Sequence, residues 1–379
     1  MKDRIPLKAV TSQDATARIN GVQTRISEGK AEAGRHSVPT IESFARHGGR
    51  LTTAQLLFPC APLPWIDLST GINPKPYPAP RASITERNRL PGVRQLQKLE
   101  AIAANAFGVE DVARVVAVGG TETALRLLPY LLKCRRAVIA GPTYSSHSDA
   151  WKRCGAETLE STDSEIEAKI ATPDTALTVV NPNNPDGRVV SRERLQALHE
   201  SLQAHGGFLI ADESFAEVAP QASVAALAGG DAAPNLVVLR SFGKFYGLAG
   251  VRLGFVIASR AIGAVLRGAL GDWPVSSDGL VAGIAAYADS RWAGQTRERL
   301  QADADRLDAL LVRGGFAIAG GTSLYRLARI SDAADWFTRL ARAGILVRPF
   351  AHDATLLRFG LPANPFAWQR VADTLMDRA

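Results

Sequence analysis

Ser241-Phe242-Gly243-Lys244-Phe245-Tyr246-Gly247-Leu248-Ala249-Gly250-Val251-Arg252-Leu253-Gly254-Phe255 is the stretch on which the reading of this chain turns. The apolar run Leu236-Val237-Val238-Leu239 precedes it and reads as a buried strand, and a second strand-like run extends from Leu253 to Ile257. A lysine in a glycine-rich turn at a strand end is a poor structural choice, because nothing there benefits from a long cationic side chain. It is a good chemical one: a desolvated lysine loses part of its proton affinity and becomes a nucleophilic amine. Ser241 and Arg252 are residue types that hold phosphate. An amine beside a phosphate cup points to a ligand that carries both an aldehyde and a phosphate.

Working outward, four segments share one grammar, a short apolar run followed by a polar motif. Ala137-Val138-Ile139-Ala140 leads into Gly141-Pro142-Thr143-Tyr144, and the run from Ala176 to Val180 into Asn181-Pro182-Asn183-Asn184-Pro185-Asp186-Gly187. Phe208-Leu209-Ile210-Ala211 leads into Asp212-Glu213-Ser214-Phe215, and the fourth segment is the lysine stretch itself. Continuous apolar runs separated by helical stretches such as 194–204 predict strands buried on both faces. The expected fold is α/β: a mostly parallel sheet flanked by helices, with a smaller α+β domain. Ligands of such sheets bind beyond the carboxyl ends of the strands, where all four motifs fall. Val115-Val116-Ala117-Val118 predicts another strand, ending in Gly119-Gly120-Thr121-Glu122-Thr123 at the start of a helix. Small residues at a helix N-terminus leave backbone N–H groups free for an anion, which makes Gly120, Thr121 and Glu122 a second phosphate-binding element.

The expected organisation is a flexible extension over 1–40, an arm and part of the small domain over 41–75, a large domain over 76–270, and a small C-terminal domain over 271–379. In the last of these, helices are predicted over 279–288 and 333–343, and strands over 316–319, 345–348 and 355–359. The net charge is +7, of which +4 falls in the first 50 residues, where nine Lys or Arg face five Asp or Glu. The rest is thinly spread, with no basic block or aromatic-interleaved surface for nucleic acid. A DNA-binding regulator built on an enzyme-like domain is disfavoured, because the segment before His47 shows no helix-turn-helix pattern. Cys60, Cys134 and Cys154 are too scattered for a disulfide framework or a zinc site, and no metal is expected. No run approaches the roughly 18 apolar residues of a membrane span, and no secretory leader pattern is evident, so the cytoplasm is the expected location.

Pyridoxal 5'-phosphate fits this set of side chains. Lys244 suits its aldehyde. Asp212, at the end of a buried strand, suits its ring nitrogen, and so buried a carboxylate is expected to have a cationic partner. Asn184 suits the ring's 3'-oxygen and Tyr144 the ring face. Gly120, Thr121, Glu122, Ser241 and Arg252 suit the phosphate.

On the Asn181–Gly187, Asp212–Phe215 and Ser241–Gly247 motifs, with the trailing Arg252, the chain resembles the fold-type I pyridoxal-phosphate enzymes of the aspartate aminotransferase superfamily. The likeness runs from about residue 41 to the end, and its most specific part is the lysine motif. Within the superfamily the chain is similar to the histidinol-phosphate aminotransferase branch. More narrowly it resembles the L-threonine-O-3-phosphate decarboxylases of cobalamin biosynthesis, through His47-Gly48-Gly49, the stretch from Asp67 to Asn73-Pro74, and Phe215. Many aminotransferases of this branch have a tyrosine at the position of Phe215, which leaves Asn184 to donate to the 3'-oxygen alone. The resemblance implies that His47, Arg348 and Arg358 meet the substrate's phosphate and carboxylate, with Gly48, Asn73 and Asn184 also at the substrate. It further implies a homodimer with the active site near the interface. One departure stands out: relatives often carry a tyrosine before the first large-domain helix that reaches the partner's cofactor phosphate, and residues 89–96 contain none.

Overall fold

The computed structural model describes residues 42–377; the expected extension over 1–40 lies outside them. The strands, in chain order, are β1 (Ile66–Asp67), β2 (Val115–Val118), β3 (Arg136–Ala140), β4 (Glu157–Ser161), β5 (Thr175–Val180), β6 (Phe208–Asp212), β7 (Leu236–Ser241), β8 (Gly254–Ile257), β9 (Ala317–Thr322), β10 (Tyr325–Arg329), β11 (Ile345–Leu346), β12 (Arg348–Pro349) and β13 (Leu356–Gly360). Seven of them form one sheet in the order β2-β8-β7-β6-β5-β3-β4. Strands β3 to β7 pair in parallel, and β8 runs antiparallel to both β2 and β7.

Alternate residues of these strands enter two different cores, which is what a sheet covered on both faces requires. Val115, Val138, Leu177, Leu209 and Val238 belong to one, while Val116, Ile139, Ala176, Ile210 and Val237 belong to the other. The predicted strands of the lysine half of the chain are thus all present, and with them the predicted fold class. Because β5, β6 and β7 are neighbours in parallel, their C-terminal residues Val180, Asp212 and Ser241 emerge along one edge.

Four other strands form an antiparallel sheet in the order β12-β13-β10-β9, and β1 pairs in parallel with β11. The predicted strand over 345–348 is therefore two. The chain leaves the β1–β11 pair at Val347 and enters the four-stranded sheet at Arg348. Several elements escape the sequence reading, among them β4, the helix Arg260–Leu270, the helix Ser290–Arg313 and β10. The helix Ser290–Arg313 is dominated by charge, but it buries Leu300, Ala304, Leu307 and Leu311 along one stripe. Strand β10 carries arginines at both Arg326 and Arg329, which mask its alternation. Among the described residues no helix is long and apolar enough to cross a membrane.

Candidate active site

The strand ends open into a cavity of about 240 Å³. Its lining includes His47, Gly48, Gly120, Thr121, Glu122, Tyr144, Asn184, Asp212, Ser241, Lys244, Arg252, Arg348 and Arg358, which is every residue singled out in the sequence except Asn73. Asn73 is buried elsewhere. Its amide donates to the Phe245 carbonyl at 2.8 Å, and its Oδ1 accepts from Arg299 and from the Lys75 backbone. Its backbone N–H donates to the Lys244 carbonyl at 2.9 Å. Asn73 therefore pins the lysine turn from behind rather than lining the cavity.

Lys244 stands three residues beyond the end of β7, with its ammonium 5.9 Å from the Phe215 ring centroid. Burial, with the charges of Arg358 and Arg348, lowers its pKa to about 8, against the opposing effect of Asp212. Asp212, the last residue of β6, is 4% exposed. Its Oδ2 lies 2.8 Å from His147 Nε2, and its Oδ1 accepts from the Ser214 N–H at 2.9 Å and the Ser214 hydroxyl at 2.5 Å. Burial alone would raise the carboxyl's pKa, but the His147 and Ser214 interactions outweigh it and hold the group below the usual range. His147, on the helix Ser146–Arg153, is the buried hydrogen-bonding partner of the Asp212 carboxylate. The sequence reading missed it, because a lone histidine carries no local sign of the partner that the fold gives it.

The expected phosphate cup is built around the backbone of Gly120, Thr121 and Glu122. Gly120 precedes the twelve-residue helix Thr121–Leu132 with φ of +92°, and a Cβ there would lie 2.7 Å from Arg252 Nη2. Glycine thus admits both the turn and the close approach of the guanidinium. Arg252 itself sits at φ +57° and donates to the Ala249 carbonyl at 3.1 Å. A carboxylate inside such a cup would repel a phosphate, and Glu122 is turned away from it. Its Oε1 pairs with Arg126, and its Oε2 accepts from Tyr144 at 3.3 Å. Glu122 can offer the cup only its backbone N–H.

On the opposite wall, Arg348 donates to the Arg46 carbonyl at 3.1 Å. Arg358, 3% exposed, donates to the Ser69 carbonyl at 2.8 Å and to Asn184 Oδ1 at 2.6 Å. The Nε of each guanidinium is buried without a hydrogen-bond partner. Burial lowers the pKa of both, and Arg348 adds to the effect on Arg358. Among the described residues neither forms an ion pair with a carboxylate, nor does Lys244 or Arg252. Arg348 and Arg358 are buried without counter-ions, which is costly, so the cavity calls for anionic ligands. His47 lies beside this wall, its ring 5.8 Å from that of Tyr144, and burial with the nearby Arg348 charge keeps its pKa low. A Cβ on Gly48 would run into the Ser69 carbonyl, so glycine lets the His47 segment close over the cavity.

An amine of lowered proton affinity, a buried carboxylate and an anion cup converge in one cavity beyond the strand ends of a helix-covered sheet. That combination defines a fold-type I pyridoxal-phosphate-dependent enzyme, and the donor set fits the cofactor. The chain belongs to the aminotransferase class I and II family, whose pattern matches residues 64–365. It is 40% identical over 330 residues to a threonine-phosphate decarboxylase of Pseudomonas aeruginosa, covering 87% of this chain and 97% of the relative. A threonine-phosphate decarboxylase of Sinorhizobium is 37% identical over 334 residues, with coverage of 87% and 97%. A histidinol-phosphate aminotransferase of Bradyrhizobium diazoefficiens is 31% identical over 302 residues, covering 75% and 84%. Among solved structures, the fold matches a histidinol-phosphate aminotransferase from Clostridium acetobutylicum with a TM-score of 0.73, at 20% identity and coverage of 82% and 98%. It matches an L-threonine-O-3-phosphate decarboxylase from Porphyromonas gingivalis at 0.69, with 19% identity and coverage of 82% and 98%.

Gly120→Ala tests the cup. The new methyl would displace Arg252 and strain the turn. The dissociation constant for pyridoxal phosphate, read by absorbance titration, should rise about tenfold or more, the loss of one charge-assisted phosphate contact.

Proposed function

We propose that the protein decarboxylates L-threonine O-3-phosphate to (R)-1-amino-2-propanol O-2-phosphate with pyridoxal 5'-phosphate. The observation that carries this reading is the likeness to threonine-phosphate decarboxylases, at 40% and 37% identity over 87% of the chain, above that to the histidinol-phosphate aminotransferase. When bound, the cofactor supplies an electron-withdrawing ring that stabilises negative charge at the substrate's Cα. Lys244 would hold the cofactor's aldehyde carbon, its amine freed for this by its lowered proton affinity. Asp212, backed by His147, keeps the ring nitrogen protonated. Asn184, whose Oδ1 is taken by Arg358, presents its N–H edge to the ring's 3'-oxygen. The N–H groups of Gly120, Thr121 and Glu122, with Ser241 and Arg252, hold the cofactor phosphate, and Tyr144 covers the ring.

His47, Arg348 and Arg358 divide the substrate's phosphate and carboxylate between them, with Gly48 giving room. Their placement of the substrate would decide which bond at Cα breaks. In the proposed reaction the carboxylate leaves as CO2, its bonding electrons stay at Cα, and Lys244 delivers a proton there. On the resemblance alone we extend the proposal to a cytoplasmic homodimer acting in cobalamin biosynthesis, with a large domain over 76–270 and a small one formed by 41–75 and 271–379.

The second reading is a histidinol-phosphate or related amino-acid aminotransferase, favoured by the 31% relative. One assay separates the two. Holoenzyme given carboxyl-labelled L-threonine O-3-phosphate without any keto acid should release labelled CO2 over many turnovers. Absence of release, with turnover of histidinol phosphate on adding 2-oxoglutarate, would replace the decarboxylase with the aminotransferase.

A further inference from the structure

Asn184 is the one carboxamide in the cavity lining. A carboxamide presents a donor edge or an acceptor edge, and which one faces a ligand depends on what holds it. Its Oδ1 is held by Arg358 Nη1 at 2.6 Å, but Arg358 is also one of the cations placed to receive a substrate anion. A second anchor acts on the backbone. Tyr325, on β10 and fully buried, donates its hydroxyl to the carbonyl of Asn183 at 2.5 Å. That carbonyl belongs to the peptide group that precedes Asn184. The turn is tied down around it: Thr143 donates to Asn183 Oδ1 at 2.6 Å, Asn183 Nδ2 reaches Asp186 Oδ1 at 2.8 Å, and the Gly321 N–H donates to the Asp186 carbonyl at 2.6 Å.

The Tyr325 ring is fixed as well. It meets Phe215 edge-on at 5.2 Å, and the Arg358 guanidinium lies 4.9 Å from its centroid. Burial raises the pKa of the phenol, so the hydroxyl keeps its proton and keeps donating across the neutral range.

We propose that the Tyr325 hydroxyl is a positioning group for the Asn184 amide, holding its N–H edge on the cofactor's 3'-oxygen through the Asn183 carbonyl. This rests on the pyridoxal-phosphate reading of the cavity. An N–H donated to that oxygen favours its ionised form. Loosening the donor therefore raises the pH at which the bound cofactor's visible absorption changes form.

The test is Tyr325→Phe, which removes the hydroxyl and leaves both ring contacts. The pH midpoint of the holoenzyme's visible absorption should rise by about half a unit or more, the scale of one weakened hydrogen bond. Asn184→Ala should raise it further, and adding Tyr325→Phe to Asn184→Ala should change nothing more. An unmoved midpoint in Tyr325→Phe, or the same increment with and without Asn184, overturns the proposal. So does a lower thermal midpoint in cofactor-free Tyr325→Phe with no spectral shift, which would mark the hydroxyl as structural only. Failure of the underlying reading is distinct: the unmodified protein would then bind pyridoxal phosphate without any visible band.

Discussion

Lys244→Ala should lower the rate of CO2 release from L-threonine O-3-phosphate by roughly 10⁵-fold, the scale on which a fixed intramolecular group outperforms one drawn from solution. Two duties fall on this one amine, holding the cofactor through its aldehyde carbon and moving a proton at Cα. Alanine can do neither. The groups around it explain why it can do both. Burial and the charges of Arg358 and Arg348 bring its pKa to about 8, so a substantial fraction of the free lysine is unprotonated near neutral pH, where an exposed lysine would be almost wholly ammonium. Loss of activity alone would not separate chemistry from collapse. The variant should keep pyridoxal phosphate through the Gly120–Glu122 cup, Ser241 and Arg252, shown by equilibrium dialysis, but its bound cofactor should absorb as the free aldehyde. A small added primary amine should restore part of the rate, because only the amine is missing. A variant that retains more than about one-hundredth of the parent rate would remove Lys244 from the chemistry, since a positioned acid–base group alone contributes at least that much.

The lysine half of the fold was legible because its strands are continuous apolar runs, each ended by a motif that is chemically odd for a turn. Burial on both faces forces the first property, and the location of ligands at strand ends produces the second. The remaining features depend on tertiary pairing. Asn73 entered the candidate site through the family resemblance alone, and only the fold shows its side chain bonded to Phe245 and Arg299. His147 was hidden. A histidine on a short helix has no local peculiarity until the fold sets it 2.8 Å from Asp212. Tyr325 sits on a strand whose arginines obscure its alternation, and its bond to Asn183 joins residues 142 positions apart.

Asp212→Asn should reduce CO2 release by roughly 10³-fold, the scale seen when one preorganised charge or donor is removed from a buried catalytic site. Asparagine nearly matches the shape of aspartate, and Ser214 can still donate to its oxygen. The negative charge is gone, however, and with it the means of keeping the cofactor's ring nitrogen protonated as electrons arrive from Cα. The Asp212 carboxyl is held below the ordinary range because His147 and Ser214 together outweigh the effect of its burial. Its folded-state pKa is thus depressed, and the charge is present throughout the neutral range and lost only as pH falls through that depressed value. The parent enzyme should therefore show no loss of activity from this group between about pH 6 and 8, well above any carboxylate of lowered pKa. His147→Gln leaves the carboxylate in place but removes its buried partner. Its rate should fall less than that of Asp212→Asn, and a new dependence on pH should appear on the acid side as the carboxyl pKa rises. An Asp212→Asn enzyme with near-parent rate would mean that the ring nitrogen does not need its proton held by this carboxylate. The buried His147–Asp212 pair would then be a structural link between the helix Ser146–Arg153 and β6, measurable as a drop in thermal midpoint alone.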